Sequence, residues 1–266
     1  DRLNEIHELT DEEPQDKVFV QELPQDQSIN IQNLSFKYPG AGNESVLKNI
    51  NLTFPAGKTT AIVGMSGSGK TTLLKLLLGF YEPEKGDIKI GHTDLFNIRP
   101  KFWRMQCGVV MQDGFIFSDT IANNIAVGDD YPNPAKLNEA VKIANISDFI
   151  QSLPLGLQTK IGAEGNGISQ GQKQRLLIAR AIYKNPTYLF FDEATNALDA
   201  NNESQIVENM NAFTKGKTVK HTGTREVICR DEIFSSVNAL RDRFPNRKPS
   251  DKLFRLADGS TTNELG

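Results

Sequence analysis

Three short stretches hold residue types that could act on a phosphorylated ligand. In "GMSGSGKTT", Gly64, Met65, Ser66, Gly67, Ser68 and Gly69 are followed by Lys70, Thr71 and Thr72, which fits G-x-x-x-x-G-K-[ST]. Its glycines let the backbone wrap tightly, so that successive N–H groups point inward at phosphate oxygens. A helix opening at Lys70 adds partial positive charge. Lys70 can then reach β- and γ-phosphates, and the Thr71 hydroxyl can hold Mg²⁺. The plain alternative is a Gly/Ser-rich turn. The apolar "TAIV" before it and the helical "TTLLKLLLGF" after it are the context the phosphate reading requires.

"YLFFDEATNALD" supplies an acid to match. Four apolar residues carry Asp192 to the C-terminal edge of a buried strand, where ligands sit in parallel sheets. Asp192 would hold Mg²⁺, directly or through water, and Glu193 is placed to orient or deprotonate an attacking water. An acidic helix N-terminus is the plainer reading. The third stretch is "GISQGQKQRLLIARA", in which Ser169 reads as the N-cap of a long helix and Gly171 keeps its first turn open. Besides being a capped helix, it can serve as a second anion site. One nucleotide does not need two such sites from one chain, but two chains facing head to tail could each supply one.

The elements that must position these residues read as an α/β chain. Residues 1–28 are polar and acidic with two prolines and read as a linker, with helical spacing at Leu3, Ile6 and Leu9. A folded unit begins at Ile29, with Ile31, Leu34 and Phe36 as strand positions, and "SVLKNINLTFPAGKTTAIVG" continues in short strands. Helix is expected from Thr71 to Phe80, strands at "DIKI" and "CGVVM", and a helical lobe over 115–158, with Pro134 near a helix start and Leu137, Ala140, Val141 and Ile143 on one face. A last helix, "QKQRLLIARAIYKN", stops at Pro186, and "TYLFF" reads as a buried parallel strand.

Composition narrows the function. The chain has 266 residues, 38% hydrophobic and 24% charged, enough for one large domain or a domain with a lobe. A net charge of −3 argues against nucleic acid as a partner. Cys107 and Cys229 fit separate thiols in a reducing compartment, with a single bridge left open. No apolar run approaches the roughly 18 residues that span a bilayer. The first residue is not methionine, so the chain reads as a soluble piece of something longer.

On these motifs and their order the chain resembles the ATP-binding-cassette family. "SQGQ" is similar to its signature motif, with Gln170 where glycine is commoner. Tyr38 in "FKYPG" resembles the aromatic that stacks on adenine. Gln112 in "VVMQDG" resembles the glutamine that links Mg²⁺ to the helical lobe, and Asp199 closing "NALD" resembles the loop that communicates across the dimer. The resemblance implies a P-loop NTPase core, a mostly parallel sheet flanked by helices. To this it adds an antiparallel β subdomain and a helical subdomain at about 115–180, all within 29–266. ATP and Mg²⁺ are the implied ligands, with Mg²⁺ on Thr71, Gln112 and Asp192. Lys70, Gln112 and Glu193 are the implied catalytic groups. Ser169, Gly171 and Gln172 would contact ATP on a second copy of the domain in a head-to-tail sandwich.

"DRLNEIHEL" resembles the tail of the last membrane helix in fused exporters, which implies an upstream transmembrane domain and a place on the cytoplasmic face of a bacterial inner membrane. "IGAEGNGISQGQKQR" and "FFDEATNALD" look most like peptide and bacteriocin exporters, those with a fused cysteine-peptidase domain above all. Ala163 departs from the usual glutamate, with Glu164 next to it. A very long coiled coil between phosphate loop and signature, as in chromosome-type cassette ATPases, is not there: Thr72 to Ser169 shows no heptads.

One expected residue is missing. In the family a strand after the dimer loop ends in Ala-His-Arg, and its histidine contacts the γ-phosphate. Anchored on "GKTV" and Arg225, that position falls on Thr224, and His221 sits three residues early; shifted by a deletion, His221 could still act at the γ-phosphate as a catalytic group, and otherwise it is simply a strand residue. Two functions follow: an ATPase powering export of a peptide, or an ATP-binding switch with impaired hydrolysis. The segment 220–250 is atypical. It includes a helical pattern at Ile233, Val237, Leu240 and Phe244, read either as a surface helix or as a docking helix, before "DKLFRLADGSTTNELG" returns as a closing hairpin.

Overall fold

A computed structural model describes residues 11–40, 42, 44–64, 67–111, 113–162, 167–192, 200–214, 218–223 and 255–256. Its strands are β1 (Ile29–Phe36), β2 (Leu47–Phe54), β3 (Thr59–Val63), β4 (Lys85–Ile90), β5 (Thr93–Asp94), β6 (Cys107–Val110), β7 (Asp119–Thr120), β8 (Lys160–Ile161), β9 (Tyr188–Asp192), β10 (Thr218–Gly223) and β11 (Arg255–Leu256). Its helices are α1 (Lys70–Leu77), α2 (Pro100–Gln106), α3 (Ile121–Ile125), α4 (Pro134–Ile143), α5 (Ser147–Ser152), α6 (Gln170–Tyr183) and α7 (Ala200–Phe213).

Two larger sheets result. One is antiparallel, in the order β2-β1-β4-β5. The other runs β11-β3-β10-β9-β6, parallel apart from β11. β7 and β8 pair as a small ribbon at the base of the helical lobe. The α/β core with an antiparallel β subdomain and a helical subdomain is therefore as expected.

Alternation along β9 explains how the parallel sheet is held. Leu189 and Phe191 enter the core shared with α3, α4, α6 and α7, while Tyr188 and Phe190 enter the core shared with α1, β1, β2 and β4. Side chains on a strand alternate faces, so an all-apolar run is what a doubly covered strand requires. Each fully buried residue of this size is worth about 1.5–3 kcal/mol.

Local sequence decides several ends. β1 carries a bulge at Asn33 (φ 49°), which explains why its buried positions step from Ile31 to Leu34 and not by two. The helix expected to reach Phe80 ends at Leu77. Gly79 turns left-handed (φ 74°), its N–H donates to Leu76 O at 3.0 Å, and Phe80 N–H donates to Lys75 O at 3.0 Å. α4 starts at Pro134 as expected, its amides at Ala135 and Lys136 donating to the Asn133 side chain. Between 115 and 158 the described residues form three short helices, α3, α4 and α5.

Residues 11–28, read as linker, lie against the β5–α2 region. Val20 bridges Ile98, Lys17 Nζ donates to Phe96 O at 3.0 Å, and Tyr188 Oη donates to Gln27 O at 3.1 Å. Glu12 pairs with Arg104 at 2.5 Å, and Glu13 lies 3.2 Å from Arg99 Nε as an ion pair without hydrogen-bond geometry. Cys107 is buried as a free thiol, and Cys229 lies outside the described residues. The helical pattern at 231–244 and most of the closing segment also lie outside them. Arg255–Leu256 pairs antiparallel with β3.

Candidate functional site

β3 delivers the chain to the glycine loop and α1 receives it. Gly69 is the N-cap of α1 at φ 92°, with no side chain to cap the first amides. A Cβ there would come within 2.7 Å of Leu47 Cδ2. Gly67, at φ 77°, is also left-handed. A helix N-terminus left uncapped by a side chain is suited to an anion. Ser68 lies inside the same loop, 6% exposed, and its Oγ has no hydrogen-bond partner among the described residues. Lys70 is also buried, and its Nζ donates to Gly64 O at 2.9 Å.

Asp192 ends β9 with the parity of Tyr188 and Phe190, the face against which Leu73, Leu74, Leu76 and Leu77 of α1 pack. That parity brings its carboxylate to the phosphate loop, where Thr71 Oγ1 donates to Asp192 Oδ2 at 2.8 Å. Asp192 is 2% exposed. A hydroxyl and a carboxylate form an oxygen donor set that fits Mg²⁺, which is usually held by one or two protein oxygens together with substrate phosphates. The buried unpartnered Ser68 hydroxyl and the glycine cradle fit a triphosphate. Thr71 and Asp192 are the described residues that would hold the ion.

Beside the loop, Tyr38 Oη and Thr72 Oγ1 are 3.0 Å apart. The Tyr38 ring meets Phe36 and Tyr81 edge-on, at centroid distances of 5.1 and 5.4 Å, and Lys75 Nζ lies 5.9 Å from its centre. Neither Tyr81 nor Lys75 belongs to a sequence motif of the site. Lys75 is one helical turn from Thr72, a legible spacing, whereas nothing local marks Tyr81.

At the start of α6 the Ser169 side chain accepts from Gln172 N at 3.2 Å, and Gln172 Oε1 accepts from Ser169 N at 2.8 Å. This capping box was legible as S-x-x-Q. Gly171 lies in the first turn between them. Met65, Ser66, Gln112, Glu193, Asp199 and Thr224 fall outside the described residues.

His221 lies within β10, the strand inserted between β3 and β9. It pairs in register with Ala61 and Phe191, and it is Thr222 that is level with Asp192.

Comparisons with known proteins agree with this geometry. A family model described as "ABC transporter" matches residues 47–196. The chain is 42% identical over 190 residues to ABC transporter B family member 13 of Arabidopsis thaliana, covering 71% of this chain and 15% of that protein. It is 42% identical over 219 residues to the alpha-hemolysin translocation ATP-binding protein HlyB of Proteus vulgaris, covering 82% and 30%. A solved structure of a bacterial Atm1-family ABC exporter with ATP bound superposes with a TM-score of 0.75 at 37% identity, covering 84% of this chain and 38% of that one. The chain thus spans less than a third of the length of these two curated relatives.

Proposed function

The chain belongs to the ABC transporter family as its nucleotide-binding domain, and on that premise we propose that it hydrolyses ATP to power export of a polypeptide across a membrane. ATP-binding domains of this family are ATPases. The observation that carries the reading is the Thr71–Asp192 hydrogen bond at the mouth of the glycine loop. It joins the residue that opens α1 to the acid that ends β9.

In the proposed reaction the loop amides and Lys70 hold the triphosphate, with Lys70 Nζ leaving Gly64 O for phosphate oxygen. Glu193 takes a proton from water as the water oxygen bonds to the γ-phosphorus. The bond from that phosphorus to the bridging oxygen breaks, and ADP leaves with its electron pair. Mg²⁺ held by Thr71, Asp192 and Gln112 would neutralise charge on the phosphate oxygens. Tyr38 would stack on adenine. Ser169, Gly171 and Gln172 would meet the ATP of a second copy, and Asp199 would act across the same dimer.

The exporter part is supported by HlyB and by LktB of Mannheimia haemolytica, relatives named for translocation of alpha-hemolysin and leukotoxin. It implies a transmembrane domain as partner and a cytoplasmic-face location. A fused peptidase domain upstream belongs to the same proposal. The second reading, an ATP-binding switch with slow turnover, rests on Thr224 standing where the family's histidine is expected, while His221 pairs inside β10 one position before the level of Asp192.

Hydrolysis by this chain, by its Glu193→Gln form and by its Thr224→His form separates the two. Turnover in the native chain that is lost in Glu193→Gln upholds the ATPase. A native chain that binds ATP but turns over roughly 10²–10³ more slowly than Thr224→His is the switch. Export is tested by Glu193→Gln in the producing cell, and unchanged polypeptide secretion would sink it.

A further inference from the structure

Arg180 lies on the last turns of α6, eleven residues after Ser169 and about 16 Å further along the axis. Its guanidinium makes a three-way clamp: Nε donates to Asn124 O at 2.7 Å, Nη1 to Phe115 O at 2.8 Å, and Nη2 to Asn124 Oδ1 at 3.2 Å. The guanidinium carbon also sits 5.5 Å from the centre of the Phe117 ring. Among the described residues no carboxylate pairs with this cation.

Asn124 completes the clamp from the other side. It is 1% exposed. Its Oδ1 accepts from Phe117 N at 2.8 Å, and its Nδ2 donates to Phe117 O at 2.9 Å and Thr120 O at 3.0 Å. The connection from β6 to α3, which starts next to Gln112, is thus fastened at Phe115, Phe117 and Thr120. Outward it presents Phe115 and Phe117, 66% and 45% exposed and packed edge-on at 5.2 Å.

A half-buried cation resting on neutral acceptors adds little to stability alone, since apolar residues of similar volume often replace desolvated charges without loss. What the guanidinium offers is fixed direction, because its donors form a rigid planar fork. We propose that Arg180 is a positioning residue for ATP hydrolysis. It locks the 113–120 loop to α6, so that the loop after Gln112 and the helix that begins at Ser169 move as one body. This rests on the reading that Gln112 and Ser169 serve ATP.

The test uses the 266-residue chain and two readouts: amide exchange by mass spectrometry, and Mg-ATP binding and turnover. Arg180→Lys keeps the charge but not the fork. Asn124→Asp keeps an acceptor for Arg180 but loses the donors to Phe117 and Thr120. Phe117→Leu alters a half-exposed ring and is the variant least able to disturb folding. Arg180→Lys should speed exchange over 113–120 about tenfold, the factor that corresponds to losing one charged hydrogen bond, and Asn124→Asp about fivefold, for the neutral bonds its amide nitrogen gives up. Phe117→Leu should do so by about threefold. Exchange at 59–63 and the affinity for Mg-ATP should stay as in the native chain while kcat falls.

Native loop exchange and native kcat in Arg180→Lys would overturn the proposal. So would a lowered melting temperature with native kcat per folded molecule. A native chain that binds Mg-ATP without turning it over overturns the hydrolysis reading and the kcat arm with it, leaving loop exchange to judge the lock.

Discussion

Thr71 Oγ1 donates to Asp192 Oδ2 at 2.8 Å, across 121 positions of sequence. The contact joins the start of α1 to the end of β9 and places two oxygens where a hard cation and a phosphate would meet. Asp192→Asn should weaken Mg²⁺ dependence by about 10–100-fold, the range seen when groups around a metal site are altered. Thr71→Ser should stay near native because it keeps the hydroxyl. A Mg²⁺ titration of ATP turnover checks both, and an unshifted midpoint in Asp192→Asn would remove Asp192 from the metal site.

Gly69 has a backbone reason to be glycine. At φ 92° a side chain is strained, and the Cβ would sit 2.7 Å from Leu47 Cδ2. Gly69→Ala should cost about 1–2 kcal/mol from the left-handed backbone. The Leu47 methyl is the far end of a flexible side chain, so Leu47→Val should restore little of it. Thermal unfolding of the single and double variants separates the two causes.

Tyr38 stands in an aromatic cluster with Phe36 and Tyr81. If it stacks on the base, Tyr38→Ala should raise the Kd for ATP by an amount equivalent to roughly 1–3 kcal/mol, and Tyr38→Phe should not. GTP should suffer alike, because every base has a π-face. Tyr81→Ala should give a smaller loss by freeing the Tyr38 ring. Equal affinities for Tyr38→Ala and the native chain would place the base elsewhere.

Burial pushes the Cys107 thiol well above its usual range. The unfolded thiol ionises near about 8.5. The unfolded state therefore binds fewer protons than the folded state above that pH, and stability falls as pH rises through it. Denaturation followed by the fluorescence of Trp103, the chain's single tryptophan, should show a loss between pH 8 and 10 that Cys107→Ala reduces. That comparison also sets aside Tyr188, which titrates upward for the same reason, and Lys184, which burial shifts downward. Peptide mapping after brief alkylation should find Cys107 unmodified in the folded chain.

Features that depend on neighbours along the chain can be read without the fold. The phosphate loop is a spacing of glycines before Lys70, the Ser169 cap is a contact across three residues, and Pro134 marks a helix start through its own backbone limits, whereas the left-handed turn at Gly79 ended α1 earlier than its apolar pattern suggested. β9 was legible as doubly buried because four consecutive apolar residues, Tyr188 to Phe191, have nowhere else to go. Tertiary structure alone decided which distant pieces meet. No local pattern says that β10 lies between β3 and β9, so the level of His221 against Phe191 became visible only with the sheet assembled. The same holds for Tyr81 against Tyr38, for residues 11–28 against α2, and for Arg180, which sequence shows only as one polar residue in a helix. Backbone geometry acts within a few residues, while sheet order and buried hydrogen bonds are settled by packing the whole chain at once.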